Sequence, residues 1–401
     1  MHRCLAIFVF LLATLSLSGQ GGRLPEWKEG WMDIHTIATG MGDASFLILP
    51  DGTSMLIDAG DTFGTRFISR MLPDSSRTAG EWIARYIRRH SAALPEPGKV
   101  DYFLLTHLHQ DHMGAASALR PGPHYGLAGI TRVGEDIRFG TLVDRGYPNY
   151  DYPSLEKNIR SSGGMLPEYM KFVSWQRDNR GMQAERFQVG SRSQFRLRYA
   201  PERYKGSFEV WNVAGDGLIA DGKKNRALYD DHPEDWDENM FSCVTLFRYG
   251  RFTYFTGGDL GGSGRTAKTK TDRDAESQVA ELTGRITAMK ADHHGWKDTV
   301  NPYFLWKTAP DVILFPCSHI NHPWSATVRR IADPQMPGRR MMFVTHDTGR
   351  GQVGEELWKL FPPHGHIVVR VYEGGASYQV FVVDAEEEDG QILYQTDIIR
   401  L

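Results

Sequence analysis

The segment THLHQDHMG, residues 106–114, crowds three imidazoles and one carboxylate into six positions. His107, His109, Asp111 and His112 all carry nitrogen or oxygen donors that bind divalent cations. The apolar run VDYFLL, directly before them, has the length of a buried β-strand. A strand that delivers polar side chains at its carboxyl end is a common way to build a site in α/β proteins. The segment therefore predicts a metal site at the end of a strand.

A single short loop cannot easily fold four donors onto one ion, but it can divide them between two neighbouring ions. His107 and His109 would serve one cation, and Asp111 and His112 would serve the other. Each cation would still lack ligands, because protein metal sites need three or four converging donors. Distant segments must therefore supply the remainder.

Later apolar runs end in suitable donors. Asp259 follows YFTGG, and His293 and His294 follow MKAD. A carboxylate can bind two cations at once, which a single imidazole cannot do. Although GGDLGGSG is rich in glycine, it lacks the lysine of a phosphate-binding P-loop. We therefore predict that the second half of the chain completes a site that the first half begins.

Strand-like and helix-like segments alternate along most of the chain. Apolar residues recur at helical spacing in residues 79–90, and helices are also predicted at 274–286 and 325–335. Residues 120–235 are rich in Gly, Pro, Tyr and Arg, and we predict insertions and loops there, with strands near 186–200. Aromatic side chains in this region could line a substrate cleft or pack the insertion onto the core.

The overall organisation predicted is one domain from about residue 25 to residue 401. Hydrophobic residues make up 41% of the chain and charged residues 24%, which is enough apolar sequence for a large core. The formal net charge of −3 gives no strong electrostatic footprint for nucleic acid. Cys243 and Cys317 are each beside strand-like apolar residues, so we expect two buried free thiols.

The N-terminus has the pattern of a secretory signal peptide. His2 and Arg3 precede an apolar run at residues 4–18, which is followed by GQGG. We predict a signal peptide at residues 1–22 and export to the periplasm or the cell exterior. The alternative is an uncleaved anchor, although the run is shorter than the roughly 20 residues that span a bilayer. No second transmembrane stretch is found in the sequence.

Several motifs together resemble a known family. THLHQDH resembles the signature of the metallo-β-lactamase superfamily. TGMGDASFLI with MLIDAG, FTYFTGGDL and KADHHGWKD resemble the branch that contains the hydrolase domain of bacterial competence DNA-uptake proteins. SHINHPW is similar to a later N-x-x-x-H-P stretch of that branch, with altered spacing. The resemblance covers about residues 33–350, nearly the whole chain after the N-terminal segment.

The resemblance implies an α/β fold, a four-layer αβ/βα sandwich with a metal site at one edge between two sheets. Asp58 would orient the metal-binding loop from behind. His294 is preferred to His293 because the family's last ligand directly precedes a glycine, here Gly295. The metal ligands that it implies are His107, His109, Asp111, His112, Asp259 and His294.

The sequence departs from the family at one ligand. Many members add a histidine from a strand before the bridging aspartate, but that region here reads DENMFSCV. Asn239 stands near the expected position, and the nearest histidine, His232, is in a polar loop. We therefore predict one or two ions per chain, with a weaker or open first site. The ligand mix favours zinc (Zn2+), with manganese (Mn2+) or iron (Fe2+) as alternatives.

The chemistry implied is metal-assisted hydrolysis, in which a bound water has its pKa lowered toward about 7. Asp111 would bind metal and orient the nucleophile. His293, His322 or His346 would stabilise the charged intermediate or protonate the leaving group, because each is at a predicted strand end.

The substrate class is less constrained than the chemistry. The branch resemblance implies a phosphodiester or phosphoester, either a small molecule or a polymer. The first alternative is a β-lactam, lactone or thioester, attacked at its carbonyl by the same water. The second is a non-catalytic binding module that keeps the metal as structure. The full ligand set argues against that module, since structural zinc sites are usually closed and four-coordinate.

Overall fold

The computed structural model describes residues 22–62, 68–222, 224–263 and 273–401. Two β-sheets pack face to face, and helices cover the outer face of each sheet. This arrangement confirms the predicted four-layer α/β sandwich. The predicted signal peptide, residues 1–22, lies outside the described residues except for Gly22. Among the helices that are described, none has both the length and the apolar character needed to cross a bilayer.

The strands and helices alternate along the chain. The strands are β1 Met32–Thr36, β2 Ser45–Ile48, β3 Ser54–Ile57, β4 Lys99–Leu104, β5 Arg138–Asp144, β6 Gln183–Arg186, β7 Phe208–Gly215, β8 Leu218–Asp221, β9 Lys224–Ala227, β10 Val244–Tyr249, β11 Phe252–Thr256, β12 Gly262–Ser263, β13 Arg273–Asp274, β14 Ala288–Lys290, β15 Val312–Phe315, β16 Met341–Val344, β17 His366–Val371, β18 Ser377–Val383, β19 Ile392–Gln395 and β20 Ile399–Arg400. The helices are α1 Ala79–His90, α2 Gln110–Met113, α3 Gly129–Asp136, α4 Leu155–Ser161, α5 Leu166–Arg180, α6 Ala275–Thr283, α7 Pro302–Thr308, α8 Ser325–Ala332, α9 Arg350–Val353 and α10 Glu355–Trp358.

Both large sheets are mixed. The first has the order β19-β18-β17-β1-β2-β3-β4-β5-β6, with β20 paired to β18. The second has the order β16-β15-β14-β11-β10-β7-β8-β9. Strands β3 to β6 are parallel in the first sheet, and β11, β14, β15 and β16 are parallel in the second. Loops that follow parallel strands therefore meet at one edge of each sheet.

Three apolar clusters hold the four layers together. One lies between the first sheet and its helices, one between the second sheet and its helices, and one between the two sheets. Helix α1 shows how sequence produces such a layer. Thr78 and Glu81 form a capping box at its start, and Ile83 and Ile87 are fully buried on the face that packs against the first sheet. The predicted helices at 79–90, 274–286 and 325–335 are confirmed as α1, α6 and α8.

The region 120–235 is more regular than its composition predicts. It contributes β5 and β6 to the first sheet, β7 to β9 to the second, and the helices α3 to α5. The prediction of strands near 186–200 is wrong beyond Arg186, since residues 187–200 form no strand. Tyr150, Tyr169 and Phe172 are buried in the core beneath the first sheet. These aromatic rings therefore pack the region onto the core and do not line a cleft.

The two cysteines have the state predicted for them. Cys243 and Cys317 are both buried and free. Burial raises the pKa of the Cys317 thiol to about 12, so this thiol stays protonated at neutral pH. It has the character of a small apolar core residue.

Candidate metal centre

The candidate centre lies between the two sheets, at the edge where β4, β11 and β14 end. The loop and short helix after β4 carry His107, His109, Asp111 and His112. Asp259 follows β11 in the second sheet, and His294 follows β14. The packing of the sheets therefore brings donors from both halves of the chain together, as the sequence predicts.

The buried carboxylate of Asp259 is at the centre of this group. Its Oδ1 lies 3.2 Å from His112 Nε2. Its Oδ2 lies 3.4 Å from His294 Nε2 and 3.9 Å from His107 Nε2. His294 Nε2 is also 3.1 Å from Asp111 Oδ2. One carboxylate thus faces imidazoles from both predicted ligand sets.

These distances fit a bound cation. Four ligands at 2.0–2.1 Å around a tetrahedral zinc lie about 3.3 Å from one another. The separations of 3.1–3.4 Å among Asp111, His112, Asp259 and His294 are close to that value. His112 Nε2 is buried and makes no hydrogen bond with the described residues. Since a buried polar atom normally has a partner, this orphaned nitrogen fits a metal ligand.

Asp43 joins the cluster and was missed by sequence reasoning. It is in the loop after β1, and its donor atom lies within 4.8 Å of those of His112, Asp259 and His294. The only sequence signal for it is its place in TGMGDASFLI, a segment that supported the family resemblance. Asp43 adds a second buried carboxylate beside the bridging position.

A buried lysine also belongs to the centre. Lys290, the last residue of β14, places Nζ 3.0 Å from Asp43 Oδ2 and 3.3 Å from Asp259 Oδ1. It donates a hydrogen bond to Gly258 O at 2.6 Å. Burial opposes its charge, but Asp43 and Asp259 raise the pKa of Lys290 above its usual value. The ammonium group of Lys290 therefore contacts the same oxygen of Asp259 as His112 does. No sequence motif indicated this lysine.

The half of the site that holds His107 and His109 is looser. His107 Nε2 lies 3.2 Å from His109 Nδ1, but neither ring belongs to the compact group of Asp43, His112, Asp259 and His294. Asn239 contacts His293 beside the centre, with Nδ2 3.4 Å from His293 Nε2, and its Oδ1 is buried and unpartnered within the described chain. His232 is exposed in its loop. Asn239 is thus the better placed of the two residues considered as substitutes for the missing histidine.

Asp58 lies behind the loop, where the prediction put it. Its Oδ1 accepts a hydrogen bond from Thr106 N at 2.8 Å. Its Oδ2 accepts one from Thr106 Oγ1 and contacts His112 Nδ1, both at 2.8 Å. A carboxylate on Nδ1 fixes the imidazole tautomer, so that Nε2 faces the metal position. Asp58 itself has a left-handed backbone, with φ of 60°.

A second buried pair supports the same loop from the other side. Glu238 Oε1 accepts a hydrogen bond from Leu108 N at 2.9 Å, between the first two histidines. Arg145 donates to both oxygens of Glu238, at 2.8 Å and 2.6 Å. Nη2, which donates to Glu238 Oε2, also donates to Asn158 Oδ1 at 2.8 Å. Sequence reasoning missed this pair, because its members are 93 positions apart.

His293 and His322 lie beside the ligands. His293 and His294 both have left-handed backbones, with φ of 46° and 53°, and His294 Nδ1 lies 2.9 Å from Pro316 O. The His322 ring stacks on that of His294 with centroids 4.4 Å apart. His322 Nδ1 is buried and unpartnered in the part of the chain that the structure describes. Both predicted proton-transfer residues are therefore next to the centre.

His346 does not contact the predicted ligands. Its Nδ1 lies 2.6 Å from Thr348 Oγ1 and 3.2 Å from Asp347 Oδ1, and its ring faces His364. Burial lowers the pKa of His346 to about 4. This neutral imidazole has a local hydrogen-bonding role at the end of β16.

Carboxylates control the protonation of the two central imidazoles before any cation binds. Burial opposes protonation of His294, but Asp259 and Asp111 raise its pKa to about 9. Burial likewise opposes protonation of His112, but Asp259 and Asp58 hold its pKa well above the usual range. The carboxylates thus keep protons on both rings at neutral pH. Because metal ligation needs neutral imidazoles, a bound cation would replace these protons.

One family model matches part of this chain. Residues 38–136 match the model of the metallo-beta-lactamase superfamily. Over this stretch the chain is similar to that superfamily, and the four-layer architecture described above is the metallo-β-lactamase fold. The match includes Asp58 and the whole HLHQDH segment. No curated protein sequence matches the chain.

Several solved structures are similar to parts of this chain at low identity. CmlA, a diiron β-hydroxylase from Streptomyces venezuelae, is 14% identical, with 86% of this chain and 55% of that chain covered and a TM-score of 0.38. Zinc-bound PqqB from Methylobacterium extorquens is 11% identical, with 79% and 97% covered and a TM-score of 0.36. YhfI from Bacillus subtilis, a metallo-β-lactamase fold protein, is 10% identical, with 71% and 85% covered and a TM-score of 0.35.

These neighbours decide neither the metal nor the activity. The chain spans about half the length of the hydroxylase, and every TM-score given is below 0.5. The proposed relation to the competence branch stays a prediction from the sequence motifs.

Proposed function

We propose that this protein is a metal-dependent hydrolase of phosphoesters, with phosphodiesters as the preferred class. The observation that carries the proposal is the convergence of imidazoles and carboxylates from both halves of the chain on buried Asp259. A bound zinc, manganese or iron ion would lower the pKa of a coordinated water toward about 7 and polarise the substrate oxygen. The remaining steps depend on the residues around that position.

The residues divide into two ligand sets that share Asp259. Asp111, His112 and His294 would hold one cation, since their donor atoms are within 3.4 Å of Asp259 or of one another. His107 and His109 would hold the other more weakly, with Asn239 Oδ1 as the available third donor. Lys290 would offset part of the negative charge of Asp259 and of the neighbouring Asp43.

Asp111 is the ligand best suited to orient a nucleophile. Its side chain is 25% exposed, whereas those of His112, Asp259 and His294 are at most 2% exposed. One carboxylate oxygen can therefore bind metal while the residue still contacts the solvent side. On that side, His293 is 26% exposed and can meet a substrate or protonate a leaving group.

The preference for phosphate over a carbonyl substrate rests on the motif resemblance and on charge. Two cations beside each other suit the oxygens of a pentacoordinate phosphorus, which together carry more negative charge than one tetrahedral oxyanion. A β-lactam, lactone or thioester would use the same water. Activity against those substrates is the alternative outcome.

The decisive assay compares substrate classes on metal-loaded protein. We expect hydrolysis of bis-(p-nitrophenyl) phosphate to exceed that of nitrocefin and simple lactones, and to disappear with a chelator. Asp111→Asn should lose activity, whereas Asp347→Asn, at an exposed carboxylate away from the centre, should keep it. Turnover of nitrocefin or lactones without turnover of the phosphodiester would contradict the phosphoester proposal and favour a carbonyl substrate. No turnover of any class despite bound metal would favour a binding module.

Export is part of the same proposal. The N-terminal segment has the basic, apolar and small-residue order of a signal peptide, with cleavage expected near residues 18–22. Mass spectrometry of the mature N-terminus from the native host tests it. An intact Met1 on cytoplasmic protein would contradict it.

A further inference from the structure

A polar cleft of about 650 Å³ opens at the end of the sandwich away from the metal centre. Its walls come from segments just before β11, β14, β15 and β16. Since these four strands are parallel, the ends that carry Asp259 and His294 lie at the opposite edge of the same sheet. The cleft is therefore separate from the proposed active site.

The cleft has an unusual concentration of positive charge. Five arginines line it, namely Arg248, Arg251, Arg285, Arg339 and Arg400. Asp311 is the one acidic side chain among the described lining residues, and it is 3.2 Å from Arg285. The whole chain has a formal charge of −3, so this cluster is a local feature.

Four of these five guanidinium groups have no partner among the described residues. Arg248, Arg251, Arg339 and Arg400 make no side-chain hydrogen bond or ion pair within the described ranges. Arg248 Nε and Thr283 Oγ1 are buried as well as unpartnered. Since buried polar atoms without partners are rare in native proteins, these two atoms point to an absent ligand. The exposed Arg251, Arg339 and Arg400 add uncompensated positive charge beside them.

An adjoining cleft gives the contrast. It has a volume of about 490 Å³ and shares Arg248 and Gly250 with the first. Two of its other three cations have acidic partners, because Arg192 contacts Glu209 and Lys205 lies 3.6 Å from Glu202. The third, Arg196, donates from Nε to the backbone oxygen of Ser193. The larger cleft therefore has the greater excess of positive charge that the described residues leave uncompensated.

The lining also indicates what kind of anion fits. The guanidinium fork matches phosphate oxygens and binds them through paired, charge-assisted hydrogen bonds. Thr253, Thr283 and Thr287 are at the floor of the cleft, and no aromatic ring lines it among the described residues. A nucleic-acid base would therefore find no aromatic ring to stack on there. The recognised part of the ligand is therefore its phosphates.

We propose that this cleft, the arginine cleft, binds a small ligand that carries at least two linked or neighbouring phosphate groups. Four unpaired guanidinium groups exceed what one phosphate can neutralise, so a single phosphate leaves part of the charge uncompensated. The volume is in the range of small-molecule sites. This binding does not depend on the metal centre or on the proposed hydrolysis.

Calorimetric titration of the full-length, metal-loaded protein with pyrophosphate tests the proposal. The test variant is Arg251→Gln with Arg339→Gln, since both side chains are exposed and their loss should not affect folding. The matched control is Arg329→Gln, an exposed arginine of α8 that does not line the cleft. Metal content is measured before and after, so that chelation by pyrophosphate is detected.

We expect pyrophosphate to bind the unaltered protein and the control equally, and the double variant at least about tenfold more weakly. Orthophosphate should bind more weakly than pyrophosphate. Hydrolysis of bis-(p-nitrophenyl) phosphate, if present, should be the same in all three proteins, which separates this site from the metal centre.

Three results would overturn the proposal. The first is no pyrophosphate binding, or equal binding by the double variant. The second is orthophosphate binding as tight as that of pyrophosphate, which would indicate general anion attraction. The third is tighter binding of a thymidylate 16-mer than of tripolyphosphate, which would make the cleft a polymer-binding surface.

Discussion

At the scale of single residues, Asp259 joins the two halves of the centre. Its Oδ1 faces His112 and Lys290, and its Oδ2 faces His294 and His107. The first half of the chain supplies one group of partners and the second half supplies the other. For metal binding, we therefore expect the negative charge of Asp259 to matter more than the size of its side chain.

We predict that Asp259→Asn loses at least one metal ion and lowers turnover about 10²-fold or more, an effect typical of losing one charge-stabilising group. The amide keeps the size of the side chain but removes the charge that compensates the cations. Metal content and hydrolysis of an activated phosphodiester measure the effect. Circular dichroism should stay native, because the sheets are held by apolar clusters. Retained metal with near-native hydrolysis would show that Asp259 is only a turn residue.

The same residues predict unequal occupancy. Neighbouring donor atoms of Asp111, His112, Asp259 and His294 lie 3.1–3.4 Å apart, whereas His107 Nε2 lies 3.9 Å from Asp259. Protein purified without chelator should contain between one and two equivalents of metal, and graded chelation should remove one ion first. Two equally tight ions would contradict this prediction.

At the scale of elements, the loop after β4 is held by two buried carboxylates from different directions. Asp58 follows β3 and binds Thr106 and His112. Glu238, in the 3-10 helix before β10, binds Leu108 N and the buried Arg145 of the first sheet. Helix α2 is only four residues long and cannot fix the loop by itself. Asp58 and Glu238 therefore hold the metal-binding loop in place, and neither of them is a proposed metal ligand.

We predict that Glu238→Ala lowers metal affinity about 10- to 100-fold, as outer partners of ligands typically do. It also leaves Arg145 without its main partner, at a cost of about 3–5 kcal/mol in unfolding free energy. Glu238→Gln is the matched control, because its amide oxygen can still accept from Leu108 N. Competition with a metal chelator and urea unfolding measure the two effects.

If Glu238 positions the loop, the glutamine variant should keep more metal affinity than the alanine variant at similar stability. Equal metal affinity in all three proteins would assign Glu238 a role in stability alone.

At the scale of the whole molecule, the two ends of the described chain meet in the first sheet. Strand β1 pairs with β17 along five residues. Arg370 donates to both oxygens of Asp33 across this pairing, at 2.9 Å and 2.6 Å. Both side chains are at most 2% exposed. Burial opposes ionisation, but Arg370 lowers the pKa of Asp33 to about 2.

This lowered pKa predicts a specific dependence of stability on pH. An aspartate with a folded-state pKa of about 2 and an ordinary value of 3.8 stabilises the fold above about pH 4. The contribution, about 2 kcal/mol, is lost as the pH falls toward 2. Urea unfolding at several pH values between about 4 and 2 measures the unfolding free energy of the unaltered protein and of Asp33→Asn. The difference between the two free energies should shrink by about 2 kcal/mol as the pH falls. A constant difference would mean that Asp33 titrates normally.

Local pattern predicted much of this architecture. The spacing HLHQDH after an apolar run indicated the ligand loop, and Asp259 and His294 were found because each follows another apolar strand. Helix α1 was predicted because its apolar positions recur at helical spacing, and the segments of α6 and α8 were also predicted as helices. These features depend on residues near one another in the chain, which a sequence displays directly.

Other features were decided only by tertiary packing. Asp43 and Lys290 meet across the two sheets, 247 positions apart (290 − 43). Glu238 reaches Leu108 from 130 positions away, and the arginine cleft gathers loops from the second half of the chain. Strand β5 was hidden in a Gly- and Tyr-rich region because its partner β4 is parallel and its pairing is not local. Such contacts depend on how the sheets stack, and no local periodicity records that.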